Sequence, residues 1–364
     1  MDISCTNCDR DYPPDGLPYR CPNCGGLYDF RNPLPFDPVQ VDRSQPGIWR
    51  YFHTFGLSLD TEPVSLGEGS TPLLWGEVFG RKVAFKCEFL NPSGSFKDRG
   101  SAVIAAWLKA RDINLAVEDS SGNAGASFAA YAARAGIKAR VFVPESASGP
   151  KRRQIEAYGA ELVPIPGLRT AAAEAVRAVA DEGTAYASHA YLPFNLLGYA
   201  TAAYEIFEQL NNKMPGAVIL PVGQGGLLLG LVRGFDALRI ASNVVKNTPK
   251  IIGVQARPCA PLWAMFTEKG AGAEVIDEKR TLAEGVQVCH PLRADRVLQA
   301  VAASHGCMCI TDENEILPGR DALARLGFYV EPTSAIVWSA LAQTIQDLPG
   351  PVVIILTGSG YKYE

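Results

Sequence analysis

The 364-residue sequence has no uninterrupted apolar run approaching the roughly 18 residues that a membrane-crossing helix needs. Its start, MDISCTNCDR, lacks the basic segment and apolar stretch of an export leader. A cytoplasmic protein is the expectation. Excess charge is lacking too: 34 Lys and Arg stand against 38 Asp and Glu, a formal net charge of −4. That balance argues against a nucleic-acid surface, and the 47% hydrophobic content argues against disorder. Small-molecule chemistry is the remaining default. No fixed-period repeat is present, so a solenoid is not expected. The length suffices for two ordinary domains.

Nine cysteines are present, but an odd count without a leader does not describe a disulfide framework. Four of them, Cys5, Cys8, Cys21 and Cys24, follow C-x2-C-x12-C-x2-C, the spacing of a zinc ribbon. Two such pairs can present four thiolates tetrahedrally, and so short a segment hardly folds without a metal crosslink. Four thiolates leave no open coordination position, so structural Zn2+ is expected. Cys87, Cys259, Cys289, Cys307 and Cys309 do not repeat the pattern and read as ordinary packed or surface residues, as do His290 and His305.

A proline-rich stretch, RNPLPFDPVQVDRSQPG, reads as an extended connector. Beyond about residue 80, short β-branched runs alternate with alanine-rich helical patterns: KVAFKCEF, NLAVED, ARVFVPE, AELVPI, GAVILPVG, KIIGVQA and PVVIILTG mark strands. The fold class is therefore α/β with mainly parallel sheets. Gly136 is the expected stop of the helix written AGASFAAYAARAG.

In open α/β sheets, ligands collect beyond the carboxyl ends of strands, where helix N-termini offer unpaired N–H groups. Four loops meet that description. NPSGSFKDRG places Lys97 at a helix start, where a positive charge is disfavoured. It is not a Walker lysine, since Phe96 precedes it and Asp98 follows. From these residues alone it is as compatible with a structural as with a catalytic lysine. EDSSGNAGAS offers Ser120, Ser121 and Asn123 before a helix, a carboxylate cradle or, more simply, an N-cap with a glycine turn. VILPVGQGGLLLG sets Gly223, Gly225 and Gly226 between strand and helix, able to wrap a phosphate or only to pack. A dinucleotide fingerprint fails there, because Leu228 holds the third glycine position and the later acid is missing. VVIILTGSGYK exposes Thr357 and Ser359 beyond the last strand, a weak signal alone.

Together, a lysine, a phosphate loop, an anion cradle and a terminal hydroxyl describe a site for pyridoxal phosphate. Burial at the helix start should lower the amine pKa of Lys97 and suit it to proton transfer.

In this order, the ribbon, GIWRY, LGEGSTPL, NPSGSFKDRG, SSGNAGAS, VGQGG, EPTSA and LTGSG resemble segments of the threonine synthase branch of fold-type II pyridoxal phosphate enzymes, almost end to end. The resemblance implies a tryptophan synthase β-like fold of two open parallel-sheet domains plus the ribbon. The ribbon would be residues 1–30, a large cofactor domain 31–80 with 200–364, and a small mobile domain 81–199. It implies that Lys97 is the Schiff-base lysine, that Asn123 faces the cofactor ring hydroxyl, and that Gly223, Gln224, Gly225, Gly226 and Leu227 bind its phosphate. Thr357 would meet the pyridine nitrogen, and Ser120, Ser121, Ala124 and His189 would bind substrate.

The implied activity is O-phosphohomoserine plus water to threonine plus phosphate, with homodimer assembly. Where the family usually has an arginine for the substrate phosphate, this chain has Leu197, with His189, Ala190 and Asn195 nearby; Lys151, Arg152, Arg153 or Arg169 is a candidate substitute. A serine/threonine dehydratase, or a β-replacing enzyme (cysteine or cysteate synthase-like) using an activated serine, is therefore the alternative. A non-catalytic ribbon-bearing binding module is a third reading, against which Lys97, Asn123 and Thr357 argue. With no long segment after Glu364, no separate C-terminal regulatory domain is expected.

Overall fold

The computed structural model describes residues 1–146, 149–167, 169–242, 247–267 and 280–363. In chain order the strands are β1 (Ile3–Cys5), β2 (Tyr28–Phe30), β3 (Leu73–Val78), β4 (Arg81–Lys86), β5 (Leu115–Glu118), β6 (Lys138–Pro144), β7 (Glu161–Ile165), β8 (Ala185–Tyr186), β9 (Ala217–Pro221), β10 (Lys250–Ala256), β11 (Cys307–Thr311) and β12 (Val352–Ile355). The helices are α1 (Lys97–Ala110), α2 (Asn123–Ala135), α3 (Pro150–Ala157), α4 (Arg169–Asp181), α5 (Phe194–Gln209), α6 (Gly226–Ala241), α7 (Pro261–Phe266), α8 (Ala294–Ala303), α9 (Glu313–Arg325), α10 (Pro332–Ala335) and α11 (Val337–Thr344). All seven apolar runs singled out in the sequence are strands.

Two compact units emerge. The first comprises Met1–Gly69, Asn91–Ser93 and Lys97–Tyr199. It holds a four-stranded sheet in the order β7-β6-β5-β8, parallel throughout, and the two-stranded antiparallel sheet of β1 and β2. α2 is alanine-rich on every side and buried for most of its length, as a helix packed inside a core must be. It stops at Gly136, whose φ of 70° is the left-handed cap conformation.

Residues 31–69 group with this unit, whereas the sequence reading placed 31–80 with the larger one. Glu68 supplies one reason: fully buried, it accepts hydrogen bonds from Trp49 Nε1 at 2.6 Å and from the Tyr131 hydroxyl of α2 at 2.7 Å. A buried carboxylate needs such partners, and they anchor the segment to α2.

The second unit comprises Ser70–Leu90, Gly94–Phe96 and Ala200–Glu364. Its six-stranded sheet runs β11-β10-β9-β12-β4-β3, with only the edge strand β3 antiparallel. β4 belongs here, not in the smaller unit, because it pairs with β12 from Val83 to Lys86. Central strands are apolar on both faces, as parallel sheets covered by helices require. Val83, Phe85, Ile219, Val254, Val352 and Ile354 pack with Ile316, Leu323, Val337 and Leu341 of α9 and α11. Beneath the sheet's edge, Lys86 Nζ pairs with Glu205 Oε2 at 2.6 Å, both side chains essentially without solvent exposure.

Candidate active site

In the smaller unit, β5 is followed by α2 and β6, and β6 by α3 and β7, so the chain moves outward along the sheet. α4 then returns it to β8 on the other side of β5. The strand order reverses between β5 and β8, and the crevice beyond the carboxyl ends at such a point is where open α/β sheets bind ligands. Glu118 closes β5, and His189 follows β8 by three residues.

These side chains meet: His189 Nδ1 lies 2.7 Å from Glu118 Oε1. Burial holds the imidazole well below its usual pKa, and the positive charges of Lys97 and Arg169 add to the effect. Burial raises the Glu118 carboxyl well above the usual range, reinforced by Asp119. Both shifts favour an uncharged pair. Tyr186 donates to Asp119 Oδ1 at 2.7 Å, so the second carboxylate of this corner is also held in place.

Lys97 begins α1. Asp98, beside it, reaches back to accept from the Ser93 N–H at 2.6 Å and from the Ser93 hydroxyl, which fixes the turn before the helix. Burial lowers the Lys97 amine to a pKa of about 8, with Arg169 pushing it further down and Glu118 opposing. A desolvated helix-start lysine of this kind is a usable nucleophile near neutral pH.

Ser120 is buried and Ser121 half-buried, both just before α2. Ser120 is not the N-cap. Its hydroxyl instead accepts from the Gly122 N–H at 3.2 Å, and Gly122 occupies the cap position without a side-chain bond. Gly122 thus supplies no side-chain cap to α2, and a helix N-terminus of this kind can face an anion. Gly125 allows this tight entry: a Cβ there would lie 1.8 Å from the Ser120 carbonyl oxygen.

In the larger unit, β9 and β12 are parallel neighbours, with Ala217 opposite Val352 and Ile219 opposite Ile354. β9 leads through α6 to β10 on one side while β12 lies on the other, again a reversal of strand order. Gly223 to Leu227 leave the end of β9 and Thr357 leaves the end of β12, so these sequence-selected residues share one edge of one sheet. Gly225 adopts a φ of 84°, which turns the chain into α6. Gln224 does more than line the loop, because its Oε1 accepts the Leu292 N–H at 3.1 Å and ties the loop to the segment ahead of α8. Thr357 Oγ1 is buried and has no hydrogen-bond partner among the described residues, and neither has Ser95 Oγ. Phe96, immediately before Lys97, donates its N–H to the Thr357 carbonyl at 3.0 Å.

In the larger unit, a buried hydroxyl with no partner among the described residues and a glycine loop at a helix N-terminus suit the ring nitrogen and the phosphate of pyridoxal phosphate, and in the smaller unit a lysine of depressed pKa suits its aldehyde. The residues suit the group.

At the N-terminus, Cys5 and Cys24 sulfurs are 3.4 Å apart and those of Cys8 and Cys21 3.7 Å. All four lie within 4.8 Å of one another. Four sulfurs about 2.3 Å from a common centre have such mutual spacings.

Sequence reasoning passed over Glu118, although an acid closing the apolar strand LAVE was a signal. Of the four proposed substitutes for the missing arginine, Arg169 is the one whose charge acts on Lys97, Glu118 and His189. Arg152 is instead paired along its own helix with Glu156 at 3.6 Å. Asn195 is structural, donating to the Ser188 and Leu192 carbonyls at 3.1 and 3.4 Å.

Residues 64–358 match the profile of the family described as pyridoxal-phosphate dependent enzymes. A threonine synthase of Methanocaldococcus jannaschii is 33% identical over 376 aligned positions, covering 98% of this chain and 92% of that protein. A threonine synthase of Methanosarcina acetivorans is 32% identical over 346 positions, covering 92% and 84%. Among solved structures, the T.th. threonine deaminase superimposes with a TM-score of 0.65 at 28% identity, covering 79% of this chain and 92% of that one. No described helix is long and apolar enough to cross a membrane. With the family profile matched over residues 64–358, the chain belongs to the pyridoxal-phosphate dependent enzymes, and the two curated relatives compared above are threonine synthases.

Proposed function

We propose that this enzyme is a threonine synthase, converting O-phosphohomoserine and water to threonine and phosphate, as a homodimer with Zn2+ in its N-terminal ribbon. The observation carrying this reading beyond the family is the cationic surrounding of the Glu118–His189 corner, where Arg169 and Lys97 both act. Leu197 stands where the family's phosphate-binding arginine is usual, and Arg169 takes over its task of neutralising a dianion.

In this reading Lys97 holds the cofactor covalently, the amide of Asn123 faces its ring hydroxyl, and the N–H groups from Gly223 to Leu227 hold its phosphate. Thr357 Oγ1 bonds the ring nitrogen. Bound there, pyridoxal phosphate supplies the electron sink for bond breaking beside the amino group. Ser120, Ser121 and the α2 N–H groups orient the substrate carboxylate, with Ala124 leaving them room. Lys97 Nζ, once displaced by substrate, takes and returns protons at the substrate carbons while phosphate leaves and water adds. His189, uncharged, donates or accepts a hydrogen bond without competing for the phosphate as a second cation.

The second reading, a serine/threonine dehydratase or a β-replacing enzyme, is favoured by the same Leu197. Purified holoenzyme assayed with O-phosphohomoserine, serine, threonine, O-phosphoserine and O-acetylserine separates the two. Threonine and phosphate from O-phosphohomoserine are expected, with Arg169→Ala raising KM for that substrate at least roughly tenfold, the effect of one lost charge-assisted contact. Release of a 2-oxo acid from serine or threonine, with O-phosphohomoserine inert, would overturn the proposal in favour of a dehydratase.

A further inference from the structure

Cys259 and Cys289 are thirty positions apart, yet their sulfurs lie 3.3 Å from each other in the larger unit. Cys259 is buried at the exit from β10 and Cys289 is half-buried ahead of α8. Disulfide sulfurs are about 2.0 Å apart, so modest side-chain rotation separates this thiol pair from a bond. A disulfide formed by such a pair in a reducing compartment is usually transient and redox-sensing, not structural.

Segments leading to both cysteines contact the glycine loop or its start. On one side, a Cβ on Gly223 would lie 3.0 Å from the Gly285 carbonyl oxygen and 3.3 Å from a Val288 methyl, so the strap carrying Cys289 lies directly against the loop. The same strap continues to Leu292, whose N–H is held by Gln224. On the other side, Gln255 of β10 donates to the Val222 carbonyl at 3.3 Å and accepts the Trp263 N–H at 3.0 Å, linking the segment of Cys259 to the start of the loop.

We propose that Cys259 and Cys289 are a reversible disulfide site, oxidised by a low-molecular-weight disulfide of the glutathione type, whose closure stiffens the glycine loop. The more accessible Cys289 thiolate attacks one sulfur of the small disulfide, whose S–S bond breaks and releases one thiol. Cys259 then loses its proton and attacks the Cys289 sulfur of the mixed disulfide, releasing the second thiol. The protein loses two hydrogens and two electrons, and the small disulfide gains them as two thiols. Bonding the strap to the exit of β10 clamps the loop from both sides, and bound cofactor then dissociates more slowly. This consequence rests on the loop holding the cofactor phosphate; the disulfide itself does not.

Cys307 and Cys309 provide an internal contrast. Their sulfurs are 3.9 Å apart, but they are alternate residues of one strand. About 3.3 Å of rise per residue puts their Cα atoms near the limit for a disulfide, and bonding them would break the β11 pleat.

The test is to incubate holoenzyme with glutathione disulfide, digest without reductant, and identify linked peptides by mass spectrometry, while following cofactor release by absorbance. A Cys259–Cys289 peptide is expected, lost on adding dithiothreitol and absent in Cys289→Ser. Cys259→Ser should stop at glutathione attached to Cys289. Oxidised wild type should release cofactor at least roughly threefold more slowly than reduced enzyme, as a stiffened binding loop acts mainly on the dissociation rate. Glutathione alone on Cys289 in the wild type, or a link between other cysteines, would overturn the disulfide site. A Cys259–Cys289 link with unchanged cofactor release would overturn its action on the loop. If Gly225→Ala also leaves cofactor affinity unchanged, the fault lies in the phosphate-loop assignment.

Discussion

His189 Nδ1 and Glu118 Oε1 lie 2.7 Å apart, with the two side chains 12% and 1% exposed. A contact this short and this buried must be satisfied without leaving a net charge on both partners. Burial pushes the imidazole down and the carboxyl up, so protonation of His189 is displaced to acid pH. An NMR titration of the apo-enzyme is expected to show the His189 ring uncharged from about pH 8 down through about 6.5, the ordinary histidine midpoint. A ring titrating at or above that midpoint contradicts this account. His189→Ala strands Glu118, whose Oε2 already has no partner among the described residues, and should cost about 1–3 kcal/mol in chemical denaturation.

Lys97, also shifted downward, carries a pH signature of its own. With its amine at a pKa of about 8, against an ordinary 10.5, the neutral nucleophile is depleted as pH falls below 8. The rate at which apo-enzyme captures pyridoxal phosphate, followed by absorbance, should rise with pH up to about 8 and level off above it. Lys97→Ala should abolish the protein-bound absorbance band. A midpoint near the ordinary lysine value of 10.5 would mean that the amine is solvated.

Thr357 separates cofactor binding from folding. Its hydroxyl is buried without a partner among the described residues, so Thr357→Val removes a desolvated polar group and no hydrogen bond of that hydroxyl. The apo-protein Tm should not fall, while cofactor affinity drops about tenfold, the effect of losing roughly 1.4 kcal/mol. Calorimetry and equilibrium dialysis check the two halves. A substantial loss of apo-protein stability would point to a structural hydroxyl.

The ribbon is expected to hold about one zinc ion per chain, measurable by elemental analysis. Its residues are joined to the rest of their unit through Tyr19, which donates to Asp181 Oδ1 at 2.8 Å, and through Tyr12, whose ring meets Phe194 edge-on at 5.2 Å. Tyr19 also packs against Tyr186 and Tyr191, which flank His189. Chelation, or Cys21→Ser, should therefore lower Tm and raise KM more than it weakens cofactor binding. Unaltered KM after complete metal removal would show that the ribbon does not support the His189 segment.

Local pattern alone determined a good deal. Seven apolar runs, the glycine loops that follow several of them, the stop at Gly136 and the cysteine spacing are read within a few residues, because strand period, turn chemistry and metal-ligand spacing are local properties. Short or weakly patterned strands escaped: β8 has two residues, and β3 is a largely exposed edge. Only tertiary structure decided which ends lie side by side. Glu118 and His189 are 71 residues apart, β9 and β12 are neighbours across most of the larger unit, and Cys259 finds Cys289. Sheet order and the partners of buried charges arise from long-range pairing, in which each group is chosen by burial and complementarity. Sequence distance carries no record of that choice.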